Sequence, residues 1–374
     1  MKRFTLPWVV VASGLWWASL SCLEAQNQER SEGRPPETTT SRSFWGVGSE
    51  ERLGTIARIQ QFQKLVDDSN YEKNTVVQTP SINGGDRIER MIQEKARKLD
   101  ENHFTVERLV QNPDGDGRLQ TVEVTNEDHV KQGSVEEIKR STFRPDLNGR
   151  LQARVVEQET VTHISKGENQ IEKAVYRLDL EGKLSLSEME NGQERRLANN
   201  VTVKDIARQA KDVGGRMVKI ESIRETTTKT AESSFHKETL IHRPDDTGRL
   251  DVAEKVTEVQ TEKPDGTRQY TRALESRNIP LYPRSADSRA LILYRRVNGE
   301  EKKLPDGSIE NTSKVETLDP TNFSDGLKVS EIITEVARPL ADGKISVERV
   351  VKVRDLNGNF VVSLRSIQTV EPAK

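Results

Sequence analysis

Hydrophobic and polar residues alternate along much of the chain, in runs of about a dozen residues that are separated by turn-forming residues. Runs such as Gln152 to Ile164 and Lys344 to Arg354 are rich in Val, Thr, Glu, Arg and Lys. A period of two in segments of this composition is typical of β-strands. The alternation is incomplete, since Val155 and Val156 would lie on opposite faces of one strand. The pattern predicts long strands that carry polar residues on both faces.

A recurring phrase separates these runs, and its clearest copy is RPDLNGRL, from Arg144 to Leu151. Proline presets the backbone for a turn, aspartate bonds back onto it, and glycine supplies the left-handed residue that closes it. The residue before proline favours extended geometry. Strands are therefore expected to end at Arg144, Arg243 and Arg338. They are expected to begin at Leu119, Leu151 and Leu250.

The glycine of this phrase recurs at gaps of 32 or 33 residues, at Gly85, Gly117, Gly149, Gly182, Gly215 and Gly248. One such interval holds two strands and two connections. The second connection is expected at 127–134, 166–169, 190–194 and 263–266. The fold class predicted is mainly β: an extended antiparallel β-hairpin meander of about 33-residue repeats from 71 to 374, with one N-terminal helix.

Two segments interrupt this regularity. Asp86 to Asn102 has the composition of a helix but occupies the place of a strand, and the repeat favours the strand. Around Asn278 to Arg289 the period slips, which indicates either a boundary between two halves or an insertion. We favour the insertion.

The N-terminal part is predicted to form three segments. Residues 1–25 have the basic start, apolar middle and Leu23-Glu24-Ala25 end of a secretory signal peptide. Residues 26–48 are polar and predict a disordered linker. Residues 49–70 predict an amphipathic helix, because Leu53, Ile56, Ile59, Phe62 and Leu65 recur at three-residue steps after a capping Ser49.

Composition narrows the function classes. The 374 residues are 32% charged, 33% hydrophobic and only 5% aromatic, with a net charge of −2. These values suit a thinly cored protein and give no electrostatic reason to expect nucleic acid as a partner. Cys22 is the only cysteine, and cleavage after Ala25 would leave none. Lipid anchoring at Cys22 is the less favoured alternative to cleavage, because the residues before it match a lipoprotein signal only loosely.

No residue is singled out as catalytic, cofactor-binding or metal-binding. The turn phrases place oxygen ligands at alternating positions, but a calcium loop needs six to eight oxygens. The five histidines form no metal-ligand pair of familiar spacing. His236 and His242 are predicted to share one side of a strand, and solvation is the favoured interpretation. No cofactor and no enzymatic activity are predicted.

The segment from Asp146 to Leu151 resembles the core of the RHS/YD repeats, bacterial β-repeats that build encapsulating shells. The resemblance covers only the turn and the first strand residues. Arg-Pro replaces the opening tyrosine, and the period is longer. The whole pattern is also similar to exported bacterial repeat proteins with no assigned activity. Neither resemblance implies a catalytic residue.

The function predicted from the sequence is a non-enzymatic, exported β-repeat scaffold or interaction protein, either periplasmic or extracellular. Its partners would be other envelope or extracellular proteins that bind the sheet faces. The alternative is a calcium- or glycan-binding surface protein. An outer-membrane barrel is not favoured, because its strands need one continuous apolar face. The mature chain is therefore expected to have no transmembrane span.

Overall fold

The strands join into one antiparallel sheet of 20 strands. The computed structural model describes residues 37–47, 53–66, 70–81, 85–179, 181–245, 247–277, 290–319, 325–341, 343–355 and 357–370. The strands are β1 (Glu37–Val47), β2 (Leu53–Leu65), β3 (Tyr71–Pro80), β4 (Asp86–Asp100), β5 (His103–Pro113), β6 (Leu119–Gln132), β7 (Val135–Pro145), β8 (Leu151–Ser165), β9 (Glu168–Leu178), β10 (Leu184–Arg196), β11 (Val201–Lys211), β12 (Met217–Lys229), β13 (Phe235–Pro244), β14 (Leu250–Glu262), β15 (Arg268–Ser276), β16 (Ile292–Lys303), β17 (Ile309–Leu318), β18 (Leu327–Pro339), β19 (Ile345–Arg354) and β20 (Phe360–Val370). Within these ranges there is no helix of the length and hydrophobicity needed to cross a membrane.

The sheet closes on itself. Each strand pairs with the next along the chain, and β1 also pairs with β20, with Thr40 opposite Val370 and Gly46 opposite Leu364. The predicted extended meander is therefore wrong, and the chain forms a closed barrel. Closure satisfies the hydrogen-bonding groups that would line the two free edges of an open sheet, which favours the barrel over the meander.

The predicted N-terminal helix is also wrong. Residues 53–65 form β2, which pairs with β1 through Arg42 opposite Ile59 and with β3 through Ile59 opposite Val77. An isolated helix of this length is marginal, whereas the two neighbouring strands offer a full ladder on each side. The three-residue spacing of the apolar residues therefore places them on both faces of a strand.

Part of the predicted linker is structured, because β1 begins at Glu37. The predicted signal peptide, with Cys22, lies outside the described residues and stays a prediction. The strand prediction for the ambiguous segment is confirmed, since Asp86–Asp100 is β4. Residues 278–289 are likewise outside the described ranges. The strands on either side, β15 and β16, pair directly with each other. The sheet is therefore continuous across this segment, and there is no boundary between two halves among the described strands.

The turn phrase forms as its residues predict. In the β7–β8 turn, the amide of Asp146 donates to the carbonyl of Arg150 at 2.8 Å, and the amide of Gly149 donates to the carbonyl of Asp146 at 3.0 Å. Gly149 has a φ of 76°. Strands begin at Leu119, Leu151 and Leu250 as predicted. The strands preceding the turns end one residue later than expected, at the proline itself.

The second set of connections is only partly as predicted. Tight turns lie at 133–134, 166–167 and 263–267, but 190–194 is inside β10, and its turn falls at 197–200. Gly192, within the range 190–194, is paired with Ile171 and Ile206 in the ladder. These turns, together with the first residue of β1 and the last residue of β20, lie at the same end of the barrel. The turns that follow odd-numbered strands, such as those at 114–118 and 146–150, lie at the opposite end, and we call these the Pro-Asp turns. Pro264, Pro305 and Pro339 belong to turns at the first end.

The registers assign strand residues to two faces of the wall. Most buried strand residues fall on one face, among them Ala96, Val110, Val175, Val315 and Glu221, whereas Val124 is buried on the other face. In a closed barrel the concave face crowds its side chains together, so the face with most of the buried residues is the inner face. Among the described residues, each strand packs chiefly on its sequence neighbours, and the core is a thin layer along the wall.

Candidate functional site

The inner wall of the barrel carries most of the clustered charged side chains. The antiparallel register brings Glu127 of β6, Arg140 of β7 and Glu157 of β8 side by side on the inner face. Arg140 Nε lies 2.5 Å from Glu127, and its Nη1 lies 3.3 Å from Glu157. Lys173 of β9 then contacts Glu157 at 3.1 Å. Each charge therefore has an opposite charge on a neighbouring strand.

The same arrangement continues around the wall. Glu221 of β12 accepts hydrogen bonds from Arg208 of β11 at 3.0 Å and from Arg243 of β13 at 3.1 Å. Its side chain is only 12% exposed. Two arginines compensate a carboxylate that would otherwise be costly to bury. The lumen is thus lined by fixed, paired charges, a surface suited to contact with water and polar solutes.

The outer face has two zones. Away from the Pro-Asp turns it carries ion pairs, such as Asp205 with Arg224 at 2.7 Å and Glu238 with Lys255 at 2.7 Å. Exposed pairs of this kind stabilise by about 0.2–1 kcal/mol each, so they help to set register. This zone is polar on the outside of the barrel.

Nearer the Pro-Asp turns, the outer face of β5 to β10 carries a group of apolar residues, whereas Gln209 and Lys219 lie at the same level on β11 and β12. The registers bring together Leu109, Val124, Phe143 and Ala153, and likewise Val156, Tyr176 and Leu186. The first residues of three strands lie beside them and are exposed, namely Leu119, Leu151 and Leu184. We call these ten residues the collar. From Leu151 to Val156 it extends about 16 Å along a strand, at about 3.3 Å per residue.

The aspartates of the turns are engaged by the turns themselves. Asp146 Oδ1 accepts the amides of Asn148 at 2.8 Å and Arg150 at 2.9 Å. Asp114 does the same for Asp116 and Arg118. The hydrogen bond from the Arg118 backbone, with that from Asp116, holds the pKa of Asp114 below its usual range. These carboxylates stabilise backbone turns and do not converge on a common ligand.

Two of the histidines contact carboxylates. His103 contacts Asp128 at 2.6 Å, and His129 contacts Glu127 at 2.6 Å. His236 and His242 share one face of β13, as expected from their spacing. Within the described residues, no group of three or more His, Cys, Asp or Glu side chains could hold a metal ion.

No protein-family model matches the chain, and no curated protein matches its sequence. Several solved structures have a similar course of the chain. Pseudomonas aeruginosa OccK3 (OpdO) is 10% identical, with 90% of this chain and 94% of that one covered and a TM-score of 0.41. Salmonella typhi OmpF, solved in complex with daunomycin, is 6% identical, with 89% of this chain and 95% of that one covered and a TM-score of 0.31. At TM-scores this low, the strand pairing observed directly in this chain is the firmer basis for its architecture.

Closure of the sheet corrects the functional predictions made from the sequence. The scaffold that offers open sheet faces to envelope or extracellular proteins is wrong, and so is its calcium- or glycan-binding alternative. The resemblance to RHS/YD and related exported repeat proteins is not supported. A closed antiparallel barrel is the form in which strands cross a membrane. The expectation of no transmembrane span, and the periplasmic or extracellular location that followed from it, are therefore also corrected.

The charged strand residues are evident from the sequence, but their position on the inner face of a closed barrel was not predicted. Charges on both faces of each strand were interpreted as a solvated open sheet. A hollow barrel has water on its inner face as well, so charges on that face are compatible with closure. The missed signal is the sign of the charge, which alternates from strand to strand on the inner face: Glu127 and Glu157 are separated by Arg140, and Glu190 and Glu221 by Arg208.

Proposed function

We propose that this chain is a barrel of the bacterial outer membrane and that its lumen is a water-filled channel for small polar solutes. The observation that carries the proposal is the closed antiparallel barrel with paired charges on its inner wall. Closure leaves the sheet no free edge, as a hydrocarbon environment requires. The even strand number, and the placement of β1's start and β20's end together at the end with the tighter turns, fit the same class.

The strand number supports an open lumen. With strands about 4.8 Å apart and tilted by about 40°, 20 strands enclose a barrel about 40 Å across between backbones. Barrels of about eight strands are filled by their own side chains, whereas those of 16–18 strands leave an aqueous channel. Side chains from the wall are therefore too short to fill this lumen. Porin-like barrels are generally non-enzymatic, and we propose no reaction for this one.

The collar supplies the contact with lipid. Its exposed leucines, Leu151 and Leu184, face outward on neighbouring hairpins. An outer-membrane barrel typically has an apolar band about 25 Å tall, and the collar is shorter than this. The outer membrane is thinner than most bilayers, and a short band is accommodated by local thinning and by flanking lysines and arginines that extend to the interface.

The test is reconstitution of the full chain, expressed with residues 1–25 included, after extraction from the outer-membrane fraction. Addition to a planar lipid bilayer is expected to give stepwise increases in conductance, and the folded barrel is expected to migrate differently before and after boiling on a denaturing gel. Recovery of a folded protein that is soluble without detergent, and that leaves the bilayer conductance unchanged, would refute the proposal.

The contribution of the collar is tested with a matched pair of variants. Leu151→Lys combined with Leu184→Lys is expected to reduce the membrane-bound fraction, because a lysine facing lipid costs up to about 2–4 kcal/mol at the bilayer midplane. Leu147→Lys is the control, since Leu147 is fully exposed at the tip of a Pro-Asp turn. Equal loss of membrane binding in both variants would show that the collar is not the lipid contact.

A further inference from the structure

Most charged residues of the inner wall follow a strand-by-strand rule between β6 and β15, and the exceptions, Lys131, Glu136, Arg196 and Lys229, lie near the strand ends beside the other set of turns. The acidic strands are those with even numbers, and their inner-face residues are Glu123 and Glu127, Glu157 and Glu159, Glu188 and Glu190, Glu221 and Glu225, and Glu254 and Glu258. The basic strands are those with odd numbers, with Arg140 and Arg144, Lys173 and Arg177, Lys204 and Arg208, Lys237 and Arg243, and Arg268 and Arg272. The wall is thus striped along the barrel axis with alternating charge.

One level of these stripes forms a continuous row, which we call the charge ladder. Its members, one for each strand from β6 to β14, are Glu127, Arg140, Glu157, Lys173, Glu190, Arg208, Glu221, Arg243 and Glu254. Arg208 contacts Glu190 and Glu221, both at 3.0 Å. Arg243 contacts Glu221 at 3.1 Å and Glu254 at 2.6 Å. Lys173 and Glu190 are opposite each other in the register of β9 and β10, and this pair joins the ladder residues of β6 to β9 to those of β10 to β14.

The pairing continues beyond the ladder with other inner-face residues. Arg272 of β15 lies 3.0 Å from Glu258 of β14, and Arg268 of β15 lies 3.2 Å from Glu301 of β16. Neighbouring strands are about 4.8 Å apart. This spacing is shorter than the Debye length of about 8 Å at physiological ionic strength. An ion near the wall therefore experiences both signs at once, and their fields largely cancel.

We propose that the charge ladder makes the channel nearly indifferent to the sign of a solute's charge. This inference rests on the proposed channel function and names its substrate class: small hydrophilic solutes, whether neutral, zwitterionic, cationic or anionic. The preference of the channel for cations or anions then depends on the difference between the acidic and basic charges of neighbouring strands and not on their total number. Removal of a single charge therefore changes this preference.

The experiment measures the ratio of K⁺ to Cl⁻ permeability from the reversal potential of the reconstituted full chain in a KCl gradient. The native channel is expected to show a ratio within about twofold of unity. Arg208→Gln leaves Glu190 without its contact and Glu221 with one arginine, so the ratio is expected to rise severalfold. Glu221→Gln leaves Arg208 and Arg243 in excess, so the ratio is expected to fall below unity.

Arg224→Gln is the matched control. Arg224→Gln removes one positive charge, as Arg208→Gln does. The Arg224 side chain, on β12, lies on the outer face and pairs with Asp205. The permeability ratio of Arg224→Gln is expected to equal that of the native channel. Should Arg208→Gln fail to fold, judged by mobility before and after boiling, Lys173→Gln replaces it, because Glu157 keeps Arg140 as a partner.

The outcomes separate the two proposals. Absence of conductance in the native chain refutes the channel itself. A native channel with strong preference for one ion, or a ratio that shifts equally in Arg208→Gln and Arg224→Gln, overturns the inference while leaving the channel in place. Opposite shifts in Arg208→Gln and Glu221→Gln, with none in Arg224→Gln, support it.

Discussion

Gly299 occupies a position on the inner wall where a side chain has no room. It lies opposite Tyr270 in the β15–β16 register. The tyrosine ring extends across Gly299, so that its hydroxyl donates a hydrogen bond to Asn311 Oδ1 of β17 at 3.0 Å. A Cβ atom on Gly299 would lie 2.0 Å from Tyr270 Cζ. The Gly299→Ala substitution therefore forces the ring out of its place.

The expected cost of Gly299→Ala follows from three contributions. Overpacking costs about 1–3 kcal/mol, and loss of the hydrogen bond to Asn311 costs about 0.5–1.5 kcal/mol. Replacing glycine by alanine in a strand returns about 0.5–1 kcal/mol of backbone entropy. The net destabilisation is about 2 kcal/mol. Gly192→Ala is the control, because a Cβ there meets the Asp205 carbonyl at 3.4 Å and Ile171 at 3.5 Å, which is ordinary contact. It is expected to be neutral or slightly stabilising.

The assay is urea-induced unfolding of the detergent-solubilised barrel, followed by far-ultraviolet circular dichroism. Gly299→Ala is measured in the native background and again in the Tyr270→Ala background, which lacks the ring. If the ring is the cause, the alanine at 299 destabilises only where Tyr270 is present. Equal cost of Gly299→Ala in both backgrounds, or a cost no greater than that of Gly192→Ala, would refute the reasoning.

Two further predictions concern the Pro-Asp turns. Gly149→Ala is expected to destabilise the barrel by about 1–2 kcal/mol in the same unfolding assay, because φ is 76° with no atom near enough to clash; Leu147→Ala, at the exposed tip, should have no effect, and equal effects would contradict a backbone cause. The pKa of Asp114 is lowered in the fold, chiefly by the hydrogen bond from the Arg118 amide. The ionised Asp114 side chain therefore stabilises the folded barrel fully above its unfolded-state pKa, and this stabilisation is lost as pH falls through its folded-state pKa. The difference in unfolding free energy between the native chain and Asp114→Asn is therefore expected to shrink in acid, and a constant difference from neutral to acid pH would contradict the prediction.

The turns could be predicted from the sequence because their determinants are local. Asp146 and Gly149 lie within the turn that they form, and their hydrogen bonds join residues at most four positions apart. The strand starts at Leu119 and Leu151 follow from the same phrase. The repeat likewise identified β4, although its composition favoured a helix.

Closure could not be predicted in this way, because it depends on residues at opposite ends of the chain. Thr40 pairs with Val370 and Phe44 with Ser366, and the β1 segment has the polar composition of a linker. The strand at 53–65 was hidden for a similar reason. Ile59 faces inward and Phe62 outward. Apolar residues on both faces indicate a strand only when the pairing of β2 with β1 and β3 is known.

The functional site was missed because no single residue identifies it. Arg208 or Glu221 alone is an ordinary strand charge, and the significance of each comes from the sign of its neighbours across the sheet. Strand-by-strand counts of charge on each face, rather than a search for catalytic spacings, would have drawn attention to the inner wall.

The repeat of 32 or 33 residues has a consequence for how the barrel could change in evolution. One repeat is a complete hairpin with a basic strand and an acidic strand on the inner face, so duplication or loss of a repeat adds or removes two strands at a time. Such a change preserves the even strand number and the antiparallel closure of β1 on β20. It also preserves the alternation of charge, while the circumference changes by two strand widths, about 13 Å for tilted strands. Tandem duplication in the gene therefore offers a route to wider or narrower channels with the same electrostatic character.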